Sequence, residues 1–423
     1  MSHHTTAIVI FVICLIFFII EKINRSLVAV FCASLLVILG VLTQTEAINY
    51  IDFNTLGLLI GMMIIVAVTR KTGIFEYVGI QAIKLSNAKP WKIIFFLSFA
   101  TAFLSAFLDN VTTVLLFVPI TLAITDTMKL NPIPFLIAEI LSSNIGGTAT
   151  LIGDPPNIMI GSVSQLSFID FIINNTPIII LVFFINTFLL ILIYRKELFN
   201  VNFDPNIINT LDPSKSITDL KLLKKALIIF ILTISAFIFH GTIDIELATI
   251  SIFFAILMLI TCKIDPEQVL TEVDWVTLFF LAGLFTLVGG LDKTGIISSL
   301  GEKILNISKG SLSLTSTFVI WFSGLFGSFI VSVPFTAIMN PIIKHISKAF
   351  AESDPLWWSL SLGVCLGGNG TLLGAPCNLI VANLAQKNSS KLSFFQFFIV
   401  AFPLMLITIL ICNIYIYLRY FLF

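Results

Sequence analysis

Long apolar runs broken by short polar stretches organise the whole chain. Candidate spans occupy residues 7–20, 27–42, 55–69 and 176–194 in the first half, and 226–240, 246–262, 276–291 and 397–417 in the second. They approach or reach the roughly 17–25 residues that cross the hydrocarbon of a bilayer. Between the third and fourth run of each half lies a longer apolar region, 91–165 and 313–385, and each is interrupted twice. Unpaired backbone in hydrocarbon costs several kcal/mol per group, so irregular chain at that depth must face protein or a water-filled cavity. The break at Leu108–Thr113 therefore predicts a re-entrant hairpin over 91–126. The break from Asn144 to Asn157 predicts one span unwound in its middle over 133–165. The first run, closed by Glu21, Lys22 and Arg25 with no basic residue before it, reads as a span and not as a cleaved leader.

The two halves repeat. Residues 146–160, GGTATLIGDPPNIMI, align with 367–381, GGNGTLLGAPCNLIV, with seven of fifteen positions identical. Upstream, Asp52, Thr55, Gly61 and Lys71-Thr72-Gly73 recur as Asp274, Thr277, Gly283 and Lys293-Thr294-Gly295. Apolar segments match one another through Leu and Ile by chance; Gly, Pro, Asn and Thr do not. Four plain spans, one broken span and one returning hairpin give each half five crossings, an odd number, so the halves are inverted. The predicted fold is an all-α polytopic membrane protein of two inverted repeats, 1–194 and 226–423, joined by a polar linker over 195–225 that contains Pro205 and Pro213. Paired broken segments in equivalent positions point to a transport site near the midplane.

Composition agrees. Hydrophobic residues make up 58% of the 423 and charged residues 11%, against about 25% charged in soluble domains. The 23 basic and 23 acidic residues balance, with no basic domain to suggest nucleic acid. Placing the N-terminus outside and the linker inside puts 17 Lys and Arg on the cytoplasmic side and 6 on the other. The positive-inside rule thus predicts an inner or plasma membrane protein with both termini outside and a cytoplasmic linker. Six scattered cysteines form no CxxC pair or metal-ligand spacing and read as small core residues.

Unwound helices supply free amides for anions and carbonyls for cations. Asn144, Gly146, Gly147, Thr148, Thr150 and Asn157 suit that role in the first half, and Gly368, Asn369, Thr371 and Asn378 in the second. The competing structural reading makes them small helix-packing residues. Asp109 stands alone in an apolar hairpin, where ionisable groups mark ion or proton pathways; otherwise it caps the following helix. Asp154 either lines the cavity or caps the second half-helix, and Glu139 is a weaker candidate of the same kind. Histidines lie at segment ends or in the tail, which argues against a histidine relay. Paired intramembrane catalytic motifs, HExxH and Walker A signatures are absent from the sequence, so neither an enzyme nor a built-in ATPase is expected.

FLDNVTTVLLFVPI at 107–120 and SNIGGTATLIGDPPNIMIG at 143–161, with GGNGTLLGAPCN at 367–378, resemble the arsenite permease/sodium–proton antiporter group. That group includes the melanosomal P protein and is related to citrate and dicarboxylate carriers of the ion transporter superfamily. The resemblance covers nearly the whole chain and implies an elevator-type secondary transporter, often a homodimer, with no cofactor beyond a coupling ion. It implies substrate or cation contacts from Asp109, Asn110, Thr112 and Thr113, and a partner loop from Asn144 and 146–157. Asp109, Asn110 and Asn144 become the candidate Na⁺ ligands. The second hairpin departs from the pattern: antiporter-like members carry Asp-Asn-Ile-Pro there, and this chain has Val331-Ser332-Val333-Pro334. Ser332 and Pro334 stay candidates, but one carboxylate is missing, which weakens a two-carboxylate Na⁺/H⁺ antiport mechanism. The expected function is H⁺- or Na⁺-coupled transport of a small inorganic or carboxylate anion across the lipid bilayer. The alternatives are Na⁺/H⁺ antiport and arsenite efflux, the latter suggested thinly by Cys377.

Overall fold

Each apolar run folds as a helix. The computed structural model describes residues 2–20, 22–199, 212–243, 245–388 and 390–422, and no strand occurs among them. The first half contains α1 (His3–Ile20), α2 (Arg25–Ile38), α3 (Gln44–Asn49), α4 (Phe53–Arg70), α5 (Ile74–Leu85), α6 (Pro90–Ser105) and α7 (Asn110–Thr127). It continues with α8 (Ile133–Thr148), α9 (Pro155–Ser164), α10 (Phe168–Asn174), α11 (Thr176–Ile193) and the short α12 (Arg195–Phe199). The second half contains α13 (Leu220–Ile243), α14 (Leu247–Cys262), α15 (Pro266–Leu270), α16 (Trp275–Lys293), α17 (Ile296–Ile307) and α18 (Leu312–Phe329). It ends with α19 (Ser332–Ser347), α20 (Asp354–Gly367), α21 (Pro376–Lys387) and α22 (Phe394–Tyr417). Among the described residues seven helices are long and apolar enough to cross a membrane, and α1, α2, α6 and α14 are shorter apolar helices.

The predicted hairpins are α6–α7 and α18–α19, and the predicted broken spans are α8–α9 and α20–α21. Two details differ from expectation. The helix α8 runs on through Asn144, Gly146, Gly147 and Thr148, so only 149–154 is unwound. Its glycines are tolerated because the segment is packed on all sides, where close approach matters more than helix propensity. After α9 the chain does not continue straight; α10 turns away by 114°. The sequence also gave no warning of α5 and α17, which occupy equivalent places in the repeats. Gly73 and Gly295 start them with φ of +76° and +78°, a left-handed turn that glycine adopts without strain. Of the linker, 200–211 with Pro205 lies outside the described residues. Its end is seated on the α4–α5 turn, where Thr218 N donates to Thr72 O at 3.1 Å and Thr218 Oγ1 to Lys71 O at 2.7 Å.

The repeats exchange partners across the molecule. α4 packs on α14, and its repeat image α16 packs on α2. Each contact closes on a glycine. A Cβ on Gly61 would lie 2.5 Å from the backbone carbon of Ser251, and one on Gly283 would lie 2.7 Å from that of Ala29. Repeat-equivalent N-caps start the crossing helices: Asp52 accepts from Thr55 N, and Asp274 from Thr277 N, each at 3.1 Å. Gly61→Val is expected to force α4 from α14 and cost about 1–3 kcal/mol or more through overpacking. A lower unfolding temperature and poorer monodispersity in detergent would register this. Gly241→Ala, whose Cβ would meet nothing closer than 3.7 Å, serves as the control; equal behaviour of the two variants would refute the packing account.

Candidate functional site

Four helices begin at one place. The N-termini of α7, α9, α19 and α21, capped by Asp109, Asp154, Val331 and Ala375, converge on the inner end of a cavity of about 630 Å³. Asp109, Asn110, Thr112, Asp154, Pro155, Val331, Val333 and Pro376 line that end. The partial positive charge at each helix start therefore points to a common region. The two halves treat it differently. In the first, both caps are carboxylates; in the second, the same positions hold Val331 and Ala375.

Asp109 is half-buried and anchored by one residue. Its Oδ1 accepts from Thr112 N at 2.8 Å and its Oδ2 from Thr112 Oγ1 at 2.5 Å, while Thr113 Oγ1 donates to the Asp109 carbonyl at 3.0 Å. Asp109 therefore caps α7 and lines the cavity at once. Asp154 is buried, and its side chain makes no capping bond to α9. Its Oδ1 instead accepts from Asn110 Nδ2 at 3.3 Å. The same amide donates to Asn144 Oδ1 at 3.2 Å. Asn144 Nδ2 then reaches into the other repeat, donating to Asn369 Oδ1 at 2.9 Å and Asn378 Oδ1 at 3.0 Å. A buried amide ladder therefore ties the first hairpin tip to both unwound loops.

The remaining candidates hold those loops in shape. Asn157 Nδ2 donates to the carbonyls of Thr148 (3.2 Å) and Thr150 (2.9 Å), and Asn378 Nδ2 to those of Gly368 and Thr371, both at 2.8 Å. The Thr150 hydroxyl binds the Ala106 carbonyl, and Thr371 Oγ1 binds Ser328 O at 2.5 Å, so each loop is tied to its own hairpin. Gly146 lies so close to α6 that a Cβ would stand 2.1 Å from Ala102 O, and Gly147 so close to Gly153 that one would stand 2.8 Å from its carbonyl. Ser332 N donates to Gly374 O at 3.1 Å, and Pro334 lines a separate small cavity with Leu15, Phe18 and Arg25. Neither Ser332 nor Pro334 lines the large cavity. Cys377 is fully buried, with its thiol donating to Asn144 Oδ1 at 3.1 Å. Among the described residues no three His, Cys, Asp or Glu side chains stand within reach of one metal ion.

Outward from the helix ends, the cavity wall comes from the crossing helices: Arg25, Arg70, Glu272, Asp274 and Thr277. Arg70 pairs with Glu272 at 3.3 Å, and Lys71 with the same carboxylate at 3.2 Å. Sequence reasoning missed these residues as site groups. The recurrence of Asp52 and Thr55 as Asp274 and Thr277 was visible, but only as a mark of the repeat. The repeat image of this cavity exists on the opposite face and measures only about 50 Å³. There Asn54, Thr55, Leu58, Ile158 and Glu246 stand where Val276, Thr277, Phe280, Leu379 and Asn24 line the large one. Asn54 Nδ2 donates to Glu246 Oε2 across it at 2.7 Å. The large cavity thus has a pseudo-symmetric counterpart that is far smaller.

Inverted repeats, paired hairpins and broken helices meeting at a central cavity define a multi-pass membrane transporter. The chain belongs to the CitMHS family, described as citrate transporters, which it matches over residues 15–363. It is 34% identical over 425 residues to an uncharacterized transporter of Mycobacterium tuberculosis, covering 98% of each chain. It is 33% identical over 491 residues to the human P protein, covering 95% of this chain and 58% of that one. In fold it is similar to the YdaH transporter of Alcanivorax borkumensis, whose crystal structure is described as having an unusual topology; the TM-score is 0.60 at 14% identity, over 88% and 86% of the two chains.

Proposed function

We propose that the protein is a cation-coupled secondary transporter of a small anion, working by alternating access. The observation that carries this is the charge asymmetry of the four converging helix starts. Asp109 and Asp154 place negative charge on the first-half pair, which suits Na⁺ or H⁺. Val331 and Ala375 leave the second-half pair without an acidic cap, and a helix N-terminus without one favours an anion. Bound together, cation and anion cancel much of each other's charge at low dielectric, which gives a physical basis for coupling. The family description, citrate transporter, supports an anionic carboxylate as substrate. The distribution of Lys and Arg supports reading the open cavity as cytoplasmic, so that the α6–α9 and α18–α21 elements move against the α2, α4, α14 and α16 scaffold to reach the other side.

Purified protein in liposomes, given labelled citrate, a dicarboxylate or arsenite in turn, is expected to accumulate one of the carboxylates only under an imposed Na⁺ or pH gradient. Proton movement driven by Na⁺ alone, with no gradient-stimulated uptake of any of the three, would replace this proposal with cation exchange. Gradient-driven movement of arsenite and neither carboxylate would assign arsenite transport instead.

A further inference from the structure

The internal repeat provides a control for every polar residue in the core: the second half builds the same hairpin against the same broken span. Glu139 sits in α8 between the two arms of that packing, 1% exposed, and does not line the cavity. The Thr121 hydroxyl of α7 bonds its Oε1, and its Oε2 has no partner. Four residues on, Ser143 lies on the same helix face and donates to the Asn110 carbonyl at 3.1 Å, while Ser105 Oγ donates to Ser143 O at 2.7 Å. One turn below, Thr125 Oγ1 donates to Thr121 O at 2.8 Å. A polar column thus runs along the α7–α8 seam from the hairpin base to its tip. In the second half the positions of Thr121, Glu139 and Ser143 hold Ile343, Leu360 and Val364, all buried. The fold does not require the column.

Among the described residues no ion pair involves Glu139. The helices packed against α8 are α6, α7, α11, α20, α21 and α22. Their ionisable residues are Lys92, Asp126, Asp354, Lys387, Cys365, Cys377, Cys412, Tyr415 and Tyr417, the last of them exposed. The first four lie at helix ends, the thiols of Cys365 and Cys377 bond to Asn157 and Asn144, and Tyr415 bonds to the Asn174 carbonyl. A bare carboxylate in that seam would be an uncompensated buried charge, costing several kcal/mol. Binding a proton removes the charge and gives the free oxygen side a hydrogen to place.

We propose that Glu139 is a proton-binding site of the first hairpin, loaded while α7 and α8 are packed and exchanging its proton with water when the seam loosens. The step is simple: an O–H bond of a hydronium ion breaks as one forms on the carboxylate, leaving water, and on release the proton passes back to a water molecule. Proton binding stands independently of the transported solute; only the use of that proton to drive movement rests on the function proposed above.

Infrared spectra of the full-length protein in liposomes test it without any substrate. The expected result is a neutral-carboxyl C=O band that bleaches reversibly as pH rises and is missing in Glu139→Gln. Thr121→Val, which removes the hydrogen-bond donor to Oε1, is expected to shift the band and not abolish it. The paired variant Thr121→Ile with Glu139→Leu copies the second half, so it is expected to fold even where the single variants do not, and to lack the band. No Glu139-dependent band, or one that persists unchanged across the pH range, would overturn the proposal. If the band behaves as expected and neither citrate nor the dicarboxylate is taken up by wild type under a Na⁺ or a pH gradient, the functional proposal fails and the proton site remains.

Discussion

Replacing Asp109 with Asn is expected to leave the protein folded and to abolish gradient-driven transport. Folding survives because Asn is as good an N-cap as Asp, and its Oδ1 can still accept from Thr112 N, now at 2.8 Å. What goes is one unit of charge at the mouth of α7. With a cation about 4 Å away and an effective dielectric of about 20, that charge is worth about 4 kcal/mol, on the order of a thousandfold in ion affinity. The neighbouring Asp154 remains, its Oδ1 held by Asn110, but it is present before and after the change and so does not replace the lost charge. Uptake of labelled substrate under an imposed gradient should therefore fall to the level of empty liposomes. Exchange of labelled for unlabelled substrate separates the coupling ions: Asn imitates a protonated Asp, so exchange survives if H⁺ is used and is lost if Na⁺ is used. Asp109→Ala removes the cap as well, and should lower the unfolding temperature below that of Asp109→Asn. Full gradient-driven uptake by Asp109→Asn would remove this residue from the coupling site.

Much of this arrangement was legible along the chain because membrane helices leave few alternatives. A Gly, Asn, Thr and Pro cluster within an apolar run has to be an interruption, and the repeat turned one such cluster into a matched pair. The sequence could not show where the interruption starts. Asn144 and Gly146 look like loop residues, but tight packing on α6 keeps them helical until Thr148. Nor could it show which polar atoms face the cavity. The amides of Asn157 and Asn378 fold back on their own loops, a geometry set by the unwound backbone and not by residue type. Arg70 and Asp274 lie far from the motifs in sequence and reach the cavity only because α4 and α16 cross the opposite repeat. The short helices α5 and α17 were hidden for a simpler reason: at 12 residues each they fall below the length that a span search registers.

Asn144→Ala should be the most damaging single change outside the cavity. The side chain is completely buried and links three segments: Asn110 at the first hairpin tip, Asn369 at the start of the second loop, and Asn378 in α21. Truncation removes the donor to Asn369 Oδ1, and each buried polar group left unpaired costs about 1–3 kcal/mol. Its repeat counterpart is Cys365, whose thiol meets the side chains of Asp154 and Thr148 and makes a long contact of 3.4 Å to Asn157 Oδ1. That acceptor keeps a second donor, Ser361 Oγ at 2.7 Å, so Cys365→Ala should cost far less. Both variants can be compared by thermal unfolding in detergent and by uptake in liposomes. Asn144→Ala should lose stability and transport together, because the tip that carries Asp109 is no longer tied through this side chain to the second half. A double-mutant cycle with Asn378→Ala isolates the cross-repeat bond: coupling of about 0.5–3 kcal/mol is expected for residues in contact. Additive effects would mean that the two repeats are held together elsewhere, and the amide ladder would then be a feature of packing and not of communication between the two halves.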